Sequence, residues 1–196
     1  RLPEVERPFI LIGALEELNY LLELRGEADL RFDRILARNL FTQIEIRNPQ
    51  SAIRNLANWL AADGRLCLLQ TIPRHTQRLY ALVDWTGHEG LRAKVVGAEE
   101  AIYHDPADPL VNWDEKVLET AVGEAGLEAR LVVERQTEQR QIGPNHLARW
   151  FGAGSDRPSY GERLAAGGLT AVEVERVAGL YGRQLEGKVV GWETAV

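Results

Sequence analysis

The chain has 196 residues with 45% hydrophobic content and a formal net charge of −6. That suits one domain, or one domain with a small appendage, and argues against a surface built mainly to hold nucleic acid, which leaves a basic stripe. No apolar run approaches the roughly 18 to 20 residues of a membrane span, and no charged start followed by an apolar core marks a signal peptide, so the chain is expected to be soluble and cytoplasmic.

"PFILIG" (8–13) is a short apolar run closed by glycine, the pattern of a strand buried on both faces. "LEELNYLLELRG" (15–26) has helical spacing closed by Gly26. "FDRILARNLF" (32–41) reads as a buried parallel strand running into a loop at its carboxyl end, where open α/β sheets bind ligands. In "NPQSAIRNLANWLAADG" (48–64), Asn48 suits the cap and Pro49 the first turn; Ile53, Leu56, Ala57 and Leu60 share a face, and Gly64 ends the helix. "RLCLLQTIP" (65–73) is the next strand, with Cys67 expected in the core; as the single cysteine it excludes an intrachain disulfide. This order predicts a parallel sheet with right-handed crossovers.

Residues 78–103 read as one or two helices broken near "TGHEG", and "DPADPL" (105–110) as a loop, because prolines disrupt helix interiors. Asn112, followed by Glu115, is the expected cap of a helix running to Gly126, with Trp113 on its apolar side. "EARLVVERQTEQRQI" (128–142) reads as a long strand exposed at its far end, and "GAGSDRPSYGE" (152–162) as a linker. A Thr170 to Glu173 capping box opens a helix with Val174, Val177, Ala178, Tyr181 and Leu185 on one face, and "VVGWETAV" is a final strand. Methionine is absent, including at position 1, which implies a piece of a longer polypeptide.

With those elements placed, "FDRILARNLF", the following helix and "WLAADGRLCLLQTIP" resemble the fourth strand, helix and fifth strand of class I S-adenosylmethionine-dependent methyltransferases. "AEEAIYHDPADPLVNWDE" (98–115) and the stretch 160–196 resemble, more narrowly, the methyltransferase-like domain fused behind bacterial AAA+ ATPases of the replication-associated recombination type. The resemblance implies an α/β fold: a partial Rossmann-like sheet with flanking helices and its first strands missing. It places a methyltransferase-like domain at 1–151, a linker at 152–162, a helical insertion at 163–187 and a final strand at 188–196 returning to the sheet. It also implies an interaction or scaffolding role beside the parent ATPase or another protein, with DNA reached only indirectly, no membrane contact, and a homodimer through an exposed sheet edge as a further candidate. ATP binding would belong to the parent protein, since no G-x-x-x-x-G-K-[ST] is present here.

The departures concern the cofactor. In that family a glycine-rich turn and an acidic residue after the second strand hold S-adenosylmethionine, and neither is in this chain. Ala14 stands where an acidic residue is expected, with Glu16 or Glu17 as substitutes or as helix-dipole partners. Gly13, Ala14, Arg38 and Asn39 are therefore degenerate cofactor-binding candidates, and no catalytic residue is assigned. Asn39 and Phe41 either contact a ligand, or Asn39 bonds loop backbone and Phe41 covers the sheet edge. The alternative function is a methyltransferase whose cofactor motif lies upstream, so that S-adenosylmethionine binds the full domain and not this piece.

His75, His88, His104 and His146 form no i, i+4 pair, and the aspartates of "HDPADP" suit caps better than a metal. Arg149 and Trp150 with "RPSYGERL" mix basic and aromatic groups that either touch DNA or pack at the root of the linker.

Overall fold

In the computed structural model the described residues are 10–42, 49–154 and 157–196. They form a mixed α/β chain with two sheets of two strands each. The chain divides into two compact units, one running to Leu69 and taking in Leu118–Ala129, the other made of Gln70–Val117 and Arg130–Val196.

The first unit is built on a strand, helix, strand run. Strand β1 is Phe32–Arg38, preceded by a 3-10 turn at Leu15–Glu17 and helix α1, Leu18–Glu23. Helix α2 is Pro49–Asn58 and strand β2 is Leu60–Leu69. The expected parallel pairing is present, with Ile35 opposite Leu66, Leu36 opposite Cys67 and Ala37 opposite Leu68. α2 packs against β2 and buries Ala52, Ile53 and Leu56, whose spacing places them on one helical face.

Three expectations for this unit change. Gly64 does not end a helix: it lies inside β2, where a Cβ would stand 2.8 Å from the Phe32 carbonyl oxygen, so glycine permits the close strand approach at an irregularity in the register. Cys67 is exposed, because strand alternation turns it away from the face carrying Leu66 and Leu68. Ile10–Gly13 form no strand, and Ile10 and Ile12 are 82% and 90% exposed. An apolar run becomes a strand only where a neighbour supplies hydrogen bonds. Pro8, Phe9 and Asn48 lie outside the described residues.

The second unit encloses an apolar core. Helix α3 is Glu89–Ile102, α5 is Pro144–Phe151, α6 is Tyr160–Ala166 and α7 is Ala171–Leu185. Helix α4, Glu115–Glu124, begins in this unit and belongs to the first from Leu118 on; it is capped not by Asn112 but by Asp114, whose carboxylate accepts from the backbone N–H groups of Lys116 and Val117. Core residues Trp85, Val95, Leu164, Val177, Tyr181 and Leu185 are buried together. Trp150 stacks on Trp192 at 6.3 Å and meets Tyr181 edge-on, with Phe151 5.4 Å from Tyr181, so these aromatics are packing groups. The Thr170 capping box forms as expected: Glu173 N–H donates to Oγ1, and the Glu173 carboxylate accepts from Thr170 N–H.

Two further differences follow from strand pairing. Of the long strand expected over 128–142, only β3, Arg135–Gln141, forms. Its antiparallel partner is β4, Val189–Ala195, so the final strand belongs to this second sheet and not to the β1–β2 pair. Within 152–162, helix α6 takes over at Tyr160, with Ser159 Oγ accepting from Glu162 N–H.

Candidate functional site

The carboxyl end of β1 is where the sheet offers a ligand position, and its local chemistry is already committed. Asn39 has a left-handed φ of 51°, a conformation asparagine tolerates better than most residues. Its N–H donates to the Leu69 carbonyl at 2.9 Å, locking the turn to the end of β2. Phe41 follows and is buried, only 1% exposed.

Gly13 and Ala14 are held by their own segment. Ala14 N–H donates to Glu17 Oε2 at 3.0 Å, so Glu17 serves the start of the helical turn. A Cβ at Gly13 would lie 2.7 Å from that same carboxylate oxygen, so glycine leaves room for the Glu17 side chain. Of the four candidates, Ala14 supplies no side-chain acceptor, Gly13 stands against the Glu17 carboxylate, and Asn39 is bonded to the end of β2.

A small cavity of about 170 Å³ lies in the same unit, lined by Asn19, Glu23, Ala28, Arg31, Asn58 and Trp59. The Arg31 guanidinium lies 5.5 Å from the centre of the Trp59 ring. Binding sites for nucleoside-sized ligands run from roughly 300 Å³ upward, so this hollow takes water or a small polar group.

The exposed side of the β1–β2 pair passed unnoticed in the sequence. Arg34 lies opposite Arg65, Leu36 opposite Cys67 and Arg38 opposite Leu69, and all six residues are exposed. The signal was alternation: "RILAR" and "RLCLL" place these groups on one face once the register is known.

The second unit holds the strongest polar cluster. Glu99, 1% exposed, accepts from the backbone N–H groups of Leu79 at 2.6 Å and Tyr80 at 3.0 Å and from the Tyr160 hydroxyl at 2.6 Å. Burial pushes its carboxyl above the ordinary range, only partly offset by those donors. Burial likewise raises the Tyr160 and Tyr181 hydroxyls, and brings Tyr103 to about 12. Arg78 bonds Glu100 at 2.9 Å and lies 3.7 Å from the centre of the Tyr103 ring. Arg74 bonds Asp114 at 2.7 Å, and His75 bonds Glu115 at 2.7 Å. For Asp114 burial acts upward, but Arg74 and the helix N–H groups outweigh it and hold the carboxyl low. Glu99 thus takes three donors from two other elements and ties them to α3.

Among the described residues no group of three or more His, Cys, Asp or Glu is placed to hold a metal ion. Asp105 and Asp108 accept from the Ala107 and Leu110 N–H groups within the proline-rich turn rather than capping a helix, and Asp108 also pairs with Arg163. No described helix is long and apolar enough to cross a membrane. No family model, curated protein or solved structure matches the chain.

Proposed function

We propose that this chain is a non-catalytic, methyltransferase-like interaction or scaffolding domain of a DNA replication or recombination AAA+ ATPase. In this reading the β1–α2–β2 unit is part of a Rossmann-like sheet whose ligand end has been given over to structure. The observation that carries it is the Asn39 turn: at a left-handed φ of 51° its N–H is bonded to the Leu69 carbonyl, which ties the strand end to β2. The partner is the parent ATPase or another protein, and the domain works in the cytoplasm.

Calorimetric titration of S-adenosylmethionine into this chain and into its full parent polypeptide tests the reading. No saturable binding is expected in either. Micromolar binding by the parent polypeptide would replace the scaffold with a methyltransferase.

A further inference from the structure

Deepening the interaction-module reading on which it rests, we propose that the open face of β1 and β2 is a docking surface for an amphipathic α-helix with an apolar stripe and acidic flanks. The register sets three rungs on that face: Arg34 with Arg65, Leu36 with Cys67, and Arg38 with Leu69. Leu36 is 79% exposed and Leu69 51%. With strands about 4.8 Å apart and alternate residues about 7 Å apart along each, the rungs span about 14 Å, the length of a helix of about nine residues.

Charge and shape select the occupant. Arg34 and Arg65 stand directly opposite one another, an arrangement that repels. Neither they nor Arg38 form an ion pair among the described residues, whereas Arg74, Arg78, Arg140 and Arg163 each have a carboxylate. Parallel sheets are ordinarily covered on both faces, and α2 supplies cover on only one. A second copy laid face to face would set arginines against arginines. Single-stranded nucleic acid would want aromatic platforms, and the face carries leucine and cysteine instead. An acidic amphipathic helix meets both needs, pairing with the three guanidinium groups while covering Leu36, Cys67 and Leu69.

Cys67, the single cysteine, reports occupancy. The probe is a synthetic amphipathic peptide with a leucine stripe and glutamate flanks; its counterpart has lysine in place of glutamate, and oligo-dT is the nucleic-acid arm. At saturating glutamate peptide, thiol modification of Cys67 is expected to slow about tenfold, the factor set by 90% occupancy. The lysine peptide and oligo-dT should leave the rate unchanged. In the Arg34→Glu, Arg65→Glu double variant the preference should reverse, and protection by the lysine peptide shows that the variant is folded. The proposal is overturned if the glutamate peptide gives no protection, if both peptides protect equally, if oligo-dT protects, or if the rate falls with protein concentration alone. S-adenosylmethionine binding leaves this readout untouched, so failure of the surface and failure of the non-catalytic reading are separate results.

Discussion

The two units treat charge in opposite ways. In the second, Glu99 is buried and accepts from two backbone N–H groups and a phenol, and Arg74, Arg78 and Arg163 each meet a carboxylate. In the first, Arg34, Arg38 and Arg65 share an exposed sheet face and form no ion pair among the described residues. Burial obliges a protein to answer every polar group, while an exposed sheet face is free to answer a partner instead. On the function proposed above, the difference sets structure in one unit and recognition in the other.

The comparison breaks most visibly at Glu99. Glu99→Ala leaves two N–H donors and the Tyr160 hydroxyl without their acceptor and should cost about 3 to 5 kcal/mol in denaturant unfolding, with Glu99→Gln costing less because one acceptor oxygen survives. Phe41→Ala follows, at about 3 kcal/mol for the emptied interior. Thr170→Ala should cost about 1 kcal/mol through the lost cap of α7. Leu36→Thr, on the open face, should change stability by less than about 0.5 kcal/mol. A large loss at Leu36 would mean that its face is covered after all.

Acidity sharpens the same contrast. Because burial raises the Glu99 carboxyl in the folded protein, the folded state holds that proton more tightly than the unfolded chain. Its stabilising contribution is complete below the unfolded value and is lost as pH rises through the folded one. The advantage of the native chain over Glu99→Gln should therefore shrink from pH 4 toward neutrality, measured as a difference in Tm. Asp114 runs the other way: its lowered carboxyl contributes above the unfolded value and the contribution is lost as pH falls.

Local patterns were legible in the sequence. The Thr170–Glu173 box and the apolar face of α7 announced that helix, and the alternation of period announced β1, α2, β2 and their parallel pairing. What stayed hidden depended on partners far along the chain. The donors to Glu99 come from Leu79, Tyr80 and Tyr160, and "AEEAIYHDP" by itself gives no hint that the first glutamate is buried and the second faces Arg78. Ile10–Gly13 has a strand's composition without a strand's neighbour, and β4 has its neighbour in β3. Cys67 looked buried because "RLCLLQTI" is apolar throughout, yet alternation turns it to the open side. Of the two readings of Asn39 and Phe41, the structure shows Asn39 bonding backbone and Phe41 buried.

Hydrogen exchange on the free chain tests the contrast between the units most directly. Amides of 32–38 and 60–69 are expected to exchange far faster than those of 92–102 and 173–185, since the former lie in a two-stranded sheet with one exposed face and the latter pack in the larger buried cluster. Equal protection of both sets would contradict the division of the molecule into a closed unit and one left open for a partner.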